Sequence, residues 1–166
     1  MGAFSASTPG EDLGEERDHG LAALFADERV GLTRMATVLV GSHAIAEEVV
    51  QDAFVSVGAR WSAIERPGAY LRTTVVNGCA AVLRRREMES RHGDRLTDDR
   101  STELPSHLVE LRDALDQLTE RQRIVVVLRY FVDVPDDEIA ETLGVRPSTV
   151  RSLNRRALAS LRKELS

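Results

Sequence analysis

The sequence predicts an all-α protein made of two small helical domains joined by a flexible linker. Apolar residues recur every three or four positions through almost the whole chain, which is the spacing of amphipathic helices. No segment alternates convincingly with the two-residue period of a strand. The helical pattern stops between about residues 90 and 106, a polar and charged segment that contains Pro105. We therefore expect one domain before this linker and one after it.

The N-terminal domain is expected to span residues 20–89, after an acidic tail over residues 1–19 that we expect to be disordered. Its first helix carries an apolar stripe from Leu21 onwards and ends at Gly41. A second stripe runs from Ala46 to Val57 and has acidic and amide residues on its other faces. The composition predicts a mostly aliphatic core, because aromatic residues make up only 4% of the chain.

A third helix of this domain begins near Pro67, since proline is accepted at the first helical position. The helix continues into a basic run, Arg84-Arg85-Arg86. Between the second and third helices we expect a short loop from Trp61 to Arg66.

The C-terminal domain is expected to span residues 107–166 and to contain four helices. Thr119 is predicted to cap a helix on which Ile124, Leu128 and Phe131 share one side. Two further helices come after it, joined at Gly144.

The segment from Asp136 to Arg155 has the pattern of a helix-turn-helix. Ala140 is small enough for the two helices to touch there, and Gly144, four residues later, tolerates the left-handed turn. Val150, six residues after the glycine, supplies a branched apolar contact. The second helix then carries polar and basic residues that we expect to be exposed: Ser148, Thr149, Arg151, Ser152, Asn154, Arg155 and Arg156.

These side chains suit contact with DNA. Serine and threonine at a helix N-terminus can approach phosphates, and arginine and asparagine can reach base edges in the major groove. Although the net charge is -5, residues 146–163 contain six basic residues and no acid, and nucleic-acid binding depends on such local faces. The alternative is an ordinary helical hairpin with a solvated basic face.

The segments AEEVVQDAFVSVGARW and PGAYLRTTVVNGCAAVLRRR resemble regions 2.2 to 2.4 of the extracytoplasmic-function sigma factors of bacterial RNA polymerase. The segment from Leu118 to Arg162 resembles region 4 of the same family. The resemblance covers roughly residues 20–165 and is greatest to the actinobacterial sigma-E type. It implies an alternative sigma factor that recognises promoters and opens the DNA strands.

The resemblance also implies the partners. These are promoter DNA, the clamp helices of the largest subunit of core RNA polymerase, the flap of its second-largest subunit, and an anti-sigma factor. We expect no membrane contact and a monomer when free. It implies no catalytic residue, cofactor or metal of the chain's own.

The resemblance assigns site residues by position. An acidic and amide face matches the surface that binds core polymerase: Glu47, Glu48, Gln51 and Asp52. A second set matches the part that reads and melts the minus-ten element: Trp61, Tyr70, Thr73, Thr74, Asn77, Arg84, Arg85 and Arg86. The seven polar residues of the last helix match the minus-thirty-five reader. We favour Asn77 as a base contact, whereas Trp61 and Tyr70 could equally be packing residues, and the acidic face could be merely solvated.

The chain departs from the family pattern at two helix caps. Pro135 and Arg146 stand where relatives often have serine or threonine. The fold should tolerate both, since a cap contributes about 0.5–2 kcal/mol.

Two other functions compete with this interpretation. A conventional dimeric helix-turn-helix regulator would use the same C-terminal motif on a palindrome. An enzyme is disfavoured, because the four histidines are scattered and no glycine-rich phosphate loop is present. The polar, acidic N-terminus lacks the pattern of a secretory signal, so we expect a cytoplasmic protein. Cys79 is the single cysteine, which excludes an internal disulfide.

Overall fold

The computed structural model describes residues 9–93 and 106–164, and every regular element in these ranges is helical. The seven α-helices are α1 (Pro9–Val40), α2 (His43–Ala59), α3 (Pro67–Arg91), α4 (Ser106–Asp116), α5 (Glu120–Val126), α6 (Asp136–Leu143) and α7 (Pro147–Glu164). A 3₁₀ turn lies between α2 and α3, and a π turn comes directly after α5. The all-α prediction is therefore confirmed, while the expected linker falls mainly on residues outside the described ranges.

The N-terminal domain consists of α1, α2 and α3, which pack against one another. Gly41 has a φ of 72° and ends α1, as predicted. Ser42 then caps α2, since its side chain accepts a hydrogen bond from the backbone N–H of Ile45 at 3.4 Å. The largest fully buried residues here are aliphatic, as the composition predicts: Met35, Leu39, Val57, Leu71, Val75 and Val76.

Helix α1 begins earlier than predicted. We expected the ordered domain to start at residue 20, but the helix begins at Pro9, so the expected tail is helical from there onwards. Proline suits the start of a helix. Residues 1–8 lie outside the described ranges.

In the C-terminal domain, α4, α5 and α6 pack around α7. Thr119 caps α5 as predicted, and it forms a capping box with Gln122. One prediction fails: the helix widens into a π turn over Val127–Phe131, which leaves the side chain of Phe131 exposed instead of aligned with Ile124 and Leu128.

Helices α6 and α7 form the predicted helix-turn-helix. Gly144 ends α6 with a φ of 62°, in the left-handed region that favours glycine. Ile139, Ala140 and Val150 are buried between the helices. Pro135 caps α6 without a side-chain hydrogen bond. Three acids in the first turn, Asp136 among them, compensate by interacting with the helix dipole.

The two domains pack against each other through the C-terminal end of α1 and one flank of α3. Arg86 donates a hydrogen bond to the carbonyl of Val40, and Arg123 of α5 donates one to the carbonyl of Leu39 at 3.4 Å. Guanidinium groups from both domains therefore satisfy the free carbonyls at the end of α1. Among the described residues, no helix is long and apolar enough to cross a membrane.

Candidate nucleic-acid interface

Helix α7 presents most of the predicted DNA-binding side chains to solvent. Arg151, Arg155 and Arg156 are exposed, as is Ser148, and Thr149 and Ser152 are partly exposed. The opposite side of α7 packs on its own domain, where Val150 and Ala157 are fully buried. The arginines therefore project together from the outer side of a helix that the domain holds from behind.

Asn154 differs from its six companions, because its side chain points into the domain. The residue is buried, and its amide nitrogen donates a hydrogen bond to the hydroxyl of Tyr130 at 3.1 Å. Sequence spacing could have shown this. Val150, Asn154, Ala157 and Leu161 succeed one another by four, three and four residues, so Asn154 belongs to the buried stripe of α7.

Helix α3 carries the four uncharged polar residues predicted to face the minus-ten element, Tyr70, Thr73, Thr74 and Asn77. Asn77 is exposed, and its side chain makes none of the hydrogen bonds found among the described residues. The hydroxyl of Thr74 donates to the carbonyl of Tyr70 at 2.8 Å, one turn earlier in the same helix. The hydroxyl of Thr73 donates to that of Thr142 in α6 at 3.4 Å. Of the side chains of Thr73, Thr74 and Asn77, that of Asn77 is therefore the one left free to contact a base.

Trp61 is partly buried against α1. A Cβ atom added at Gly20 would lie 2.5 Å from Cζ2 of the Trp61 ring, so the indole touches the helix at a position where only glycine leaves room. Tyr70 is also partly buried, and its hydroxyl accepts a hydrogen bond from Arg60 at 3.4 Å. Both rings therefore contribute to packing at the 3₁₀ turn, in line with the packing alternative.

The basic run at the end of α3 divides into three environments. Arg84 forms an ion pair with Glu120 at 3.0 Å, and Arg85 is exposed. Arg86 is half-buried, where it donates to the carbonyl of Val40. The structure thus places Arg85 in solvent, Arg84 at the domain interface and Arg86 in a structural contact.

The acidic face of α2 is exposed at all four predicted positions. Glu48, Gln51 and Asp52 precede Val55 by seven, four and three residues, so they share a side of the helix with this residue, which is itself 68% exposed. Glu47 lies at the edge of this face, 3.4 Å from His43 and 3.7 Å from Arg29. The face therefore combines carboxylate and amide groups with one exposed apolar side chain.

Cys79 is buried and Arg123 is largely buried, and burial shifts the pKa of both side chains. Burial raises the pKa of the Cys79 thiol from 9.0 to about 12. Burial lowers the pKa of Arg123, against the opposing effect of Asp116 at 3.1 Å. The described residues contain no group of histidine, cysteine and acidic side chains that could hold a metal ion.

The sequence matches known proteins over most of its length. Residues 108–161 match the family model for sigma-70 region 4. The chain is 37% identical over 140 residues to the RNA polymerase sigma-E factor of Streptomyces avermitilis, covering 81% of this chain and 78% of that one. It is 36% identical over 140 residues to the sigma-E factor of Streptomyces coelicolor, with 81% and 79% covered.

The chain belongs to the sigma-70 family of RNA polymerase sigma factors. Two solved structures share the fold of this sigma factor. The sigma factor RpoE of Bartonella quintana, crystallised with the anti-sigma factor NepR, superposes with a TM-score of 0.66 at 23% identity and covers 93% of this chain and 97% of that one. CnrH, solved with the cytosolic domain of CnrY, gives 0.70 at 24% identity, with 89% and 88% covered.

Sequence reasoning missed two arginines of this sigma factor. Arg66 precedes α3 and pairs with Glu141 at 2.8 Å, and Arg72 of α3 pairs with Glu138 at 2.9 Å. No local signal in the sequence distinguishes them, because their partners lie 75 and 66 residues away.

Proposed function

We propose that this sigma factor binds core RNA polymerase in the cytoplasm and directs it to promoters through two DNA-binding surfaces, with no catalytic step of its own. The α7 surface reads the minus-thirty-five element, and α3 with the preceding 3₁₀ turn reads and opens the minus-ten element. The observation that carries the proposal is the outer side of α7. Exposed arginines there come after a helix N-terminus whose Ser148 hydroxyl is accessible.

For the minus-ten surface, the exposed amide of Asn77 supports a base contact, since an amide can donate to and accept from one base edge. Arg85 supplies an exposed positive charge further along the same helix. We propose Asn154 as a positioning residue of α7 instead of a base reader, because its amide already bonds Tyr130. The rings of Trp61 and Tyr70 retain an exposed part that a flipped base could stack on.

For core binding, we propose that the acidic face of α2 contacts the clamp helices of the largest subunit. Carboxylates and an amide beside the exposed Val55 suit a basic helical partner that also offers an apolar contact. The C-terminal domain would contact the flap of the second-largest subunit. An anti-sigma factor is a further proposed partner, since RpoE of Bartonella quintana was crystallised with one and CnrH was solved with a domain of a second protein.

Run-off transcription tests the proposal. Purified actinobacterial core polymerase and a fragmented genomic library are incubated with and without the protein. We expect new, specific start sites that share two upstream elements. The variant Asn77→Ala should reduce permanganate reactivity in the minus-ten region while leaving core binding intact.

A conventional regulator would give a different result. It would leave the start sites unchanged and protect a palindromic duplex without polymerase. Together, these two results would contradict the proposed function and indicate a conventional regulator.

A further inference from the structure

Within residues 9–93 and 106–164, three ion pairs join the two domains, and they share one polarity. Each places an arginine of the N-terminal domain against a glutamate of the C-terminal domain. The pairs are Arg66–Glu141 at 2.8 Å, Arg72–Glu138 at 2.9 Å and Arg84–Glu120 at 3.0 Å. The hydrogen bond between Thr73 and Thr142 lies among them.

All three arginines come from the part of the chain that the proposed function places at the minus-ten element. Arg66 is the residue before α3, and Arg72 and Arg84 lie on that helix on either side of Asn77. A cleft of about 390 Å³ separates the loop before α3 from α6, and both Arg66 and Arg72 line it together with Glu138 and Glu141. A nucleic-acid backbone and α6 would therefore need the same space.

We infer that Arg66, Arg72 and Arg84 form a phosphate-binding set for the minus-ten DNA strand, and that Glu120, Glu138 and Glu141 occupy this set when the domains are closed. This inference rests on the proposed function. The carboxylates take the place of phosphates, because guanidinium groups bind both by the same charge-assisted hydrogen bonds. DNA binding to α3 and docking of the C-terminal domain thus exclude each other.

The ion pairs between the domains are weak enough for DNA phosphates to replace the glutamates. The side chains of Arg66 and Glu141 are 66% and 65% exposed, and those of Arg72 and Glu138 are 25% and 46% exposed. An ion pair as exposed as Arg66–Glu141 contributes little and is screened by salt. The Arg72–Glu138 and Arg84–Glu120 pairs each have one partner that is less than a third exposed, so they are screened less. A DNA strand that offers several phosphates to one chain can displace them, and it releases counterions as it does so.

The competition is confined to one DNA-binding surface. Helix α7 packs mainly against α4, α5 and α6 of its own domain, and its arginines stay exposed while α6 covers the flank of α3. Closure therefore occupies the three arginines, while Asn77 and the arginines of α7 remain exposed.

A cysteine pair at the interface measures closure directly. In the full chain, Thr73→Cys and Thr142→Cys replace hydroxyls that lie 3.4 Å apart, so a disulfide can form only when the domains are closed. Its rate of formation under a mild oxidant is monitored on non-reducing gels. The native Cys79 does not compete, because burial raises the pKa of its thiol to about 12.

The probe is a short single-stranded DNA oligonucleotide of mixed sequence. We expect a saturating amount to slow crosslinking by about threefold or more, and added salt to slow it as well. Adding Glu138→Gln and Glu141→Gln should slow crosslinking similarly. The matched control, Asp113→Asn with Asp137→Asn, removes the same charge from exposed positions of the same domain. It should leave the crosslinking rate unchanged. In an Arg66→Gln/Arg72→Gln/Arg84→Gln background the oligonucleotide should have no further effect.

An unchanged crosslinking rate with the oligonucleotide, or equal slowing by the control pair, would overturn the inference. Run-off transcription by the chain without the added cysteines separates the two proposals. If transcription is normal but the oligonucleotide does not change the crosslinking rate, the inferred competition is wrong and the proposed function stands. If there is no transcription but the oligonucleotide slows crosslinking, the proposed function is wrong and the competition between DNA and the C-terminal domain stands.

Discussion

The side-chain amide of Asn154 in α7 donates a hydrogen bond to the hydroxyl of Tyr130, 3.1 Å away in the π turn. This bond ties the proposed DNA-reading helix to the widened turn behind it. Arg129 lies over the ring of Tyr130, 5.8 Å from its centroid, and forms an ion pair with Asp136 at the start of α6. The π turn, α6 and α7 are thus connected through polar contacts.

The variant Tyr130→Phe should lower the free energy of unfolding by about 1–3 kcal/mol, because it leaves the buried amide of Asn154 without its partner. Urea unfolding measures the loss. The preferred minus-thirty-five sequence should not change. A changed preference at unchanged stability would show that Asn154 reads bases itself.

The variants Arg151→Ala and Arg155→Ala should each weaken binding to a promoter by about 1–3 kcal/mol, because each removes an exposed guanidinium that can bond a base or a phosphate. Gel-shift titration of the holoenzyme measures this, and a pull-down should show unchanged core binding. Lys163→Ala removes a positive charge from the last turn of the same helix and serves as the control. Loss of core binding by either variant would contradict the assignment of these two arginines to DNA binding.

The pair Gln51→Ala and Asp52→Ala should weaken association with core polymerase about tenfold, because it removes an amide and a carboxylate from the exposed α2 face. A pull-down with core enzyme measures the change. Asp113→Asn, an exposed acid on α4, is the control. Equal loss in both proteins would indicate a general effect of charge.

Gly20→Ala should displace the indole of Trp61, because the added Cβ would lie 2.5 Å from Cζ2 of the ring. Trp61 is the single tryptophan, so its fluorescence emission reports the change directly, and a red shift is expected. The free energy of unfolding should fall by about 1–3 kcal/mol. Gly31→Ala in the same helix has open space around its Cβ, and it should leave emission unchanged.

The Cys79 thiol should resist iodoacetamide at pH 8 in the folded chain and react in urea, because burial raises its pKa to about 12. An exposed Ser62→Cys serves as the reactive control. The folded state favours the neutral thiol, so this contribution to stability is complete below pH 9.0 and is lost as the pH rises towards about 12. Alkylation at equal rates at both cysteines of the folded protein would contradict the burial of Cys79.

The sequence predicted the features that depend on local pattern. Apolar spacing placed the helices, Thr119 and Gly144 marked helix boundaries, and small and branched residues indicated the helix-turn-helix. The early start of α1 and the π turn were missed, because composition suggested disorder for the first and the apolar spacing continues through the second. The ion pairs of Arg66 and Arg72 were missed because two segments far apart in sequence form them only after both domains have folded.

The number of residues in the π turn at Val127–Phe131 determines how the helices after it are oriented in the C-terminal domain. A π turn holds one residue more than the α turn it replaces, so it rotates the next part of the chain by about 100° relative to a regular helix. Deleting a single residue there would restore the regular winding and carry Tyr130 away from Asn154. The orientation of the helix-turn-helix is therefore fixed by a residue count in a segment that touches no DNA in the proposed mechanism.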